Sequence, residues 1–351
     1  MSRQRTILVA VGTTFCAASL VGAYYLLQPP LQHTDNRPAP EAAAGAFVPT
    51  ELRPQQEPLT RFDVIPVGEA GEKVERSELV LGVTIGQESR AYPLNMLAGR
   101  EDSSFNPEVL NDTLGGRSVA VTWCDLCHSG IVYSRQVGGR KLTFGVAGMV
   151  WQGNLVMYDR ETVSLWSQLA GEAKEGPLKG KQLERFPAVI TNWGRWMDQH
   201  AGGTVALLSR NARHYRVDFY PHYGPQYLVL GLVAGDTARA WGFDRLAVEP
   251  VVNDRFGGRP VLVAFDPEAY TGRVYERVLG ERVLTFRLVK GELTDDQSSS
   301  TWELLTGRAA AGPLRGRRLV ALPAVVANRK VWLKFYPRTT WGARAARPRG
   351  P

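Results

Sequence analysis

Three cysteines, five histidines and five methionines in 351 residues leave little sulfur or imidazole to spend. A disulfide-dense secreted scaffold is excluded, and so is a zinc site built from four thiolates. No Gly-x-Ser-x-Gly elbow, phosphate-binding loop or paired His-Glu zinc motif occurs, so the ordinary hydrolase and nucleotide-enzyme classes have no support. Neither disorder nor a fibrous repeat fits a chain that is 44% hydrophobic and 22% charged. Positive charge is scarce until late. Residues 61–210 carry 16 basic and 17 acidic side chains, residues 211–351 carry 22 and 13, and the net charge of +8 belongs almost wholly to the last third.

One long uncharged run exists, Thr6 to Leu27, preceded by Arg3 and Arg5 and closed by Gln28-Pro29-Pro30. About 20 apolar residues cross a bilayer core, and basic residues on the N-terminal side predict a cytoplasmic start and an exported body. Residues 1–28 therefore read as an uncleaved anchor. A cleaved signal peptide, cut near Val21-Gly22-Ala23, is the competing reading and would make the protein secreted. Cys16 lies inside this run and reads as a small membrane-buried residue. Residues 29–60, rich in Pro, Ala and Gln without a hydrophobic period, read as an extended tether.

The body repeats itself. Leu79-Val80-Leu81-Gly82-Val83 matches Leu228-Val229-Leu230-Gly231-Leu232, and Val109 to Arg117 matches Val251 to Arg259 through a shared Asn-Asp and Gly-Gly. Gly176-Pro177-Leu178-Lys179-Gly180 matches Gly312-Pro313-Leu314-Arg315-Gly316, and Trp166 matches Trp302. Two copies of about 130 residues indicate a tandem duplication rather than a solenoid. Short β-branched and aromatic runs predict strands. Gly138-Gly139 suggests a hairpin joining Ile131-Val132-Tyr133 to Lys141-Leu142-Thr143-Phe144, and Trp193, Trp196 and Met197 suggest a short helix up to His200. The expected fold class is mainly β with minor helices (α+β): copy one over residues 61–210, copy two over 211–343, and a basic tail over 344–351.

Duplication supplies an internal control. Features in both copies serve the fold most simply; features in one copy are the better candidates for chemistry. Copy one holds Cys124-Asp125-Leu126-Cys127-His128, where copy two has Asp266-Pro267-Glu268-Ala269-Tyr270. It also has about six extra residues around Met149–Asn154, and Ser167-Gln168 in place of Glu303-Leu304.

Four readings of the cysteine segment stand. A Cys124–Cys127 disulfide is feasible after export; closing so short a loop contributes only ~2 kcal/mol, which favours a redox role over a structural one. Two thiolates with His128 suit Cu or Zn, with Met149 or Met157 as a thioether donor. Cys-x-x-Cys-His also meets the minimal requirement for covalent haem c, although strands flank it. The plainest reading is a pair of buried, inert thiols. Ser167, Gln168 and Asp159 are supporting candidates. The connection between copies carries His214, His222 and several tyrosines, read as an amphipathic linker or a second metal site. Arg315-Gly316-Arg317-Arg318 and the tail suggest an anionic lipid or cell-wall polymer as partner; export argues against nucleic acid.

The run Val-Thr-Trp-Cys-x-x-Cys-x-Ser-Gly (121–130), with Thr-Phe-Gly-Val-Ala-Gly (143–148), Asn-Leu-Val-Met-Tyr-Asp-Arg-Glu-Thr (154–162) and Leu-Trp-Ser-Gln (165–168), resembles the bacterial and archaeal family called domain of unknown function 3179. The resemblance implies an exported or membrane-associated protein without an established activity. It also implies a small or amide residue after the second cysteine, from which His128 departs. The functional expectation is thiol–disulfide or metal-linked redox work by Cys124 and Cys127 with a thiol partner. A non-catalytic scaffold at the envelope is the rival.

Overall fold

The structure is a computed structural model that describes residues 45–50, 55–98, 107–208 and 225–342. The proposed anchor, Cys16, the linker residues His214 and His222, and the tail 344–351 lie outside the described residues. No helix among the described residues is long and apolar enough to cross a membrane.

The first part of the chain forms β1 (Phe47–Pro49), β2 (Asp63–Pro66), β3 (Leu79–Ile85), β4 (Glu88–Pro93), α1 (Leu94–Leu97), β5 (Val109–Leu114), β6 (Arg117–Cys124), β7 (Ser129–Ser134), β8 (Gln136–Val137) and β9 (Arg140–Lys141). It continues with β10 (Phe144–Trp151), β11 (Asn154–Asp159), β12 (Leu165–Ser167), β13 (Ala173–Glu175), β14 (Arg185–Phe186), β15 (Ala188–Asn192), α2 (Trp193–Gln199) and β16 (Thr204–Leu207). Copy two comprises β17 (Leu228–Ala234), β18 (Thr237–Gly242), α3 (Phe243–Leu246), β19 (Val251–Phe256), β20 (Arg259–Asp266), β21 (Thr271–Glu276), β22 (Val278–Leu279) and β23 (Arg282–Val283). After these come β24 (Phe286–Val289), β25 (Glu292–Asp295), β26 (Thr301–Trp302), β27 (Ala309–Ala311), β28 (Val320–Ala321), β29 (Val325–Asn328), α4 (Arg329–Phe335) and β30 (Thr340–Trp341).

Three sheets of copy one recur in copy two. The order β15-β3-β4-β16-β2 corresponds to β29-β17-β18-β30, and in each a late strand joins in parallel to the second strand of the hairpin. The order β14-β7-β6-β5 corresponds to β28-β21-β20-β19, and β10-β11-β12-β13 to β24-β25-β26-β27. The molecule is mainly β with a few short helices, and it is built by duplication.

The residues common to both copies show why the fold needs them. In β3 a Cβ on Gly82 would stand 2.1 Å from the Trp196 ring, and one on Gly231 in β17 the same distance from Trp332. Each glycine is the floor on which a later helix, α2 or α4, rests its indole. Asn111 grips Phe144 through both backbone groups (Phe144 N to Oδ1, 2.8 Å; Nδ2 to Phe144 O, 2.7 Å), as Asn253 grips Phe286. Trp166 Nε1 donates to Asp159 and Trp302 Nε1 to Asp295, at 2.9 and 3.0 Å. The Gly-Pro-Leu-x-Gly turns hang from Ser164 and Ser300, whose hydroxyls accept the Leu178 and Leu314 amides at 3.0 Å.

Two expectations change. The hairpin at Gly138-Gly139 joins only the two-residue strands β8 and β9, and Phe144 starts a strand of a different sheet. The Asn111 clamp explains this: it captures Phe144 for the sheet of β10. The tether is not free along its whole length, because β1 pairs with Met149–Trp151 and Gln56 N donates to Val146 O. The two copies also share one core, in which Leu79, Leu81, Val121 and Trp123 join Leu228, Leu230, Val263 and Phe265.

Candidate functional site

Cys124 ends β6 and Ser129 begins β7, directly opposite it, so Asp125 to His128 form a tight turn between neighbouring strands. Copy two makes the same turn between Asp266 and Thr271. His128 and Tyr270 close the two turns with φ of 52° and 51°, a left-handed backbone uncommon for side-chain-bearing residues. The turn therefore forms without cysteine. In copy two the Asp266 carboxylate accepts the Glu268 and Ala269 amides and pairs with Arg195 of α2. In copy one the equivalent side chain is a thiol, turned into the interior.

Both sulfurs are fully buried, within the cluster that includes Leu155, Met157 and Trp166. They are free thiols; the expected disulfide is not formed. Cys127 Sγ lies 3.0 Å from Ser129 Oγ and receives Asn154 Nδ2 at 3.1 Å. Cys124 Sγ instead receives the Leu155 amide at 3.4 Å. Around them runs a buried polar network centred on Gln168. Its Oε1 accepts from Ser129 Oγ and Asn154 Nδ2, both at 2.9 Å, and its Nε2 donates to Thr122 Oγ1 and Ser129 O at 2.9 and 3.1 Å. Asn154 Oδ1 takes the Leu169 amide at 2.8 Å. An amide with all four valences satisfied in the interior is rigid and specific.

This shell is unequal toward the two sulfurs. Burial raises the Cys124 thiol well above its ordinary pKa, and its hydrogen bond to Cys127 and the charges of Cys127 and Glu108 raise it further. Burial also pushes Cys127 upward, but hydrogen bonds from Cys124, Ser129 and Asn154 outweigh it and hold the thiol below its ordinary value. Cys127 is the more acidic thiol of the pair, and Cys124 the less acidic.

Glu108 was not anticipated from the sequence. It is fully buried, and its carboxylate accepts the Asp125 amide at 3.4 Å. Its carbonyl accepts the Trp123 amide, where copy two uses Pro250 for Phe265. Only copy one thus sets an acid beside the dithiol, and the mismatch of Glu108 with Pro250 was the available signal.

The extra residues of copy one lengthen the β10–β11 hairpin, which turns at Gln152 and Gly153 and carries Asn154 onto the sulfurs. Copy two closes the shorter β24–β25 hairpin at Lys290-Gly291. Copy two supplies the cover: Asn328 N donates to Cys127 O at 2.8 Å, and Val331, Leu333, Phe335 and Tyr336 pack against the cysteine cluster. Trp151 and Phe335 meet edge to face at 5.1 Å.

The other predicted site residues divide between the site and its surroundings. Gln168 belongs to the network, whereas Ser167 Oγ only accepts the Ala170 amide. Asp159 bonds Thr162 and Trp166, a role its counterpart Asp295 repeats with Ser298 and Trp302. Met149 packs with Ala147, Val156 and Tyr158, while Met157 lies in the cysteine cluster. His128 sets its ring edge-on to Trp123 at 6.0 Å. Among the described residues, no three His, Cys, Asp or Glu side chains gather as a metal site. The left-handed turn at His128 carries its ring to Trp123. Covalent haem would need both sulfurs on a face open to a porphyrin, and both are enclosed.

Fold and site together define a duplicated, mainly β protein with one buried dithiol in its first copy. The chain belongs to the family described as protein of unknown function (DUF3179), whose model matches it twice, over residues 59–227 and 221–341. No curated protein and no solved structure matches the chain.

Proposed function

We propose that this protein is an extracytoplasmic thiol–disulfide oxidoreductase whose reactive pair is Cys127 and Cys124. The observation carrying this reading is the unequal hydrogen bonding of two thiols on a turn that copy two builds without cysteine. The Cys127 thiolate attacks one sulfur of a partner disulfide, forming a mixed disulfide and expelling the other partner sulfur as thiolate. Cys124 then gives its proton to Glu108 and attacks Cys127 Sγ. The Cys124–Cys127 bond forms and the mixed disulfide breaks. The partner leaves with two thiols, and the protein's dithiol is oxidised by two electrons. Asn154 Nδ2 and the Ser129 backbone amide stabilise charge on Cys127 in the first step, and Glu108 takes the proton in the second.

Enclosure of both sulfurs requires the turn or its α4 cover to yield before a partner enters. The turn is thin: Leu126, between the cysteines, is 44% exposed, and its equivalent in copy two is Glu268. An exposed leucine beside a dithiol offers a partner an apolar foothold.

The test uses the reduced full chain and oxidised glutathione, followed by intact mass spectrometry. Two released thiols and loss of two hydrogens from the protein are expected. Cys124→Ser should trap a glutathione adduct at Cys127, and Cys127→Ser should release nothing. Equal reactivity of the two single variants, or none in the parent after hours, sinks the reading.

A further inference from the structure

Away from the dithiol, copy one opens a cleft of about 650 Å³ whose lining includes Arg61, Arg135, Lys141 and Arg160, with the hydroxyls of Thr113 and Thr143. Asp112 is the one carboxylate in that lining, and it is already engaged by Arg90 and by Tyr92 Oη. Glu161, next to Arg160, is turned onto the Thr143 amide at 2.7 Å.

Arg61, Lys141 and Arg160 are exposed and make no ion pair with any described residue. Arg135 is 6% exposed, with Nε donating to the Leu142 carbonyl at 2.7 Å and Nη2 reaching Thr143 Oγ1 at 3.4 Å. Burial lowers its pKa from the ordinary value, and the charge of Arg160 lowers it further against the opposing pull of Glu161 and Asp112. A guanidinium held in the interior by neutral oxygens, with a second repelling it, gains most from an added anion.

Copy two again supplies the control. The β8–β9 and β22–β23 registers match Lys141 with Val283. Arg160 N donates to Thr143 O as Asp296 N donates to Thr285 O, which matches Arg160 with Asp296. Asp296 is paired with Arg287. Copy two keeps the arginine as the half-buried Arg277, which still donates to Leu284 O, and carries Arg255 where copy one has Thr113, but it lacks the charges of Lys141 and Arg160. The arginine serves the fold; the cations at the positions of Lys141 and Arg160 are particular to copy one.

We propose that this cleft binds a small, multiply charged oxyanion. Its volume lies in the range of small-molecule sites, and forked guanidiniums with hydroxyl donors match phosphate or carboxylate oxygens. The probes are inorganic pyrophosphate and citrate, titrated into the full chain by calorimetry at fixed ionic strength. Saturable binding of at least one is expected. Preference for pyrophosphate assigns a phosphate-bearing ligand, and preference for citrate a polycarboxylate. The double variant Lys141→Val/Arg160→Asp, which installs residues copy two already carries, should weaken binding tenfold or more, and Arg61→Gln should weaken it in the same direction. Arg195→Ala, a cation paired outside the cleft, should leave it unchanged. No saturable binding of either probe, or affinities unaltered by the double variant and by Arg61→Gln, overturns the proposal.

Discussion

Replacing Gln168 by leucine, the residue copy two has at the matching place, tests whether the buried network is built around this amide. The side chain makes four hydrogen bonds, two through each end, to Ser129 Oγ, Asn154, Thr122 and the Ser129 carbonyl. At about 1 kcal/mol net for each bond, their loss costs about 4 kcal/mol, and burial of the leucine's extra apolar surface returns about 1–2 kcal/mol. The expected loss is therefore about 2–3 kcal/mol, read as a shift of the denaturation midpoint in urea at unchanged slope. The reverse change, Leu304→Gln, places an amide at a half-buried site and should cost less than about 1 kcal/mol. The variant should also lose selectivity between the sulfurs, because Gln168 holds Asn154 in position against Cys127. A Gln168→Leu stability within 0.5 kcal/mol of the parent would refute a network centred on this residue.

Alkylation by iodoacetamide at sub-denaturing urea should show a thiolate below the ordinary range in Cys124→Ser, where serine keeps a donor to Cys127, and one above that range in Cys127→Ser; coincident profiles would contradict the assigned asymmetry. The linkage runs in opposite directions. The lowered Cys127 pKa stabilises the fold above the unfolded thiol value, a contribution lost as pH falls through the folded value. The raised Cys124 pKa contributes below the unfolded value and is lost as pH rises past it. Stability of the reduced chain should therefore decline above about pH 8.5, the ordinary thiol range, and Cys124→Ser should remove part of that decline in urea melts at pH 8 and 10. Gly82→Ala and Gly231→Ala each drive a methyl to 2.1 Å from an indole; each should cost more than about 3 kcal/mol or prevent soluble expression, and a mild effect would show that Trp196 or Trp332 can retreat.

Much of this architecture could be read directly because duplication prints the same constraint twice. Asn111 with Asn253 and Gly82 with Gly231 recur because each holds a neighbouring element by geometry that other residues do not supply. The helix at Trp193 showed through its spacing, and Asn192 caps it by accepting the Arg195 amide. The exchange of sheets after Gly138-Gly139 was not legible, since it depends on a clamp from a residue more than thirty positions earlier. The site was half legible. Its sulfurs, its longer hairpin and Gln168 stood out as differences between copies. Ser167, which differs between the copies as Gln168 does, and Asp159, whose bonding Asp295 repeats, bond within local turns. Glu108 sits in a stretch without hydrophobic period, and only its mismatch with Pro250 marks it.

The second copy explains why a one-site protein keeps two. Copy two carries no thiol at the matching turn, yet its Asn328 amide and the residues of α4 complete the enclosure of Cys127. The relation is reciprocal in form. Copy one's Arg195, on α2, pairs with Asp266 and Glu268 at the matching turn of copy two. One crossing ends in exposed ion pairs, and the other ends at two buried thiols near a buried carboxylate. Exposed ion pairs contribute little to stability, typically under ~1 kcal/mol, so the copy-two crossing can vary freely. The copy-one crossing is constrained by every donor that reaches Cys127. The second copy thus forms part of the wall around Cys127, while its own turn is held by salt bridges.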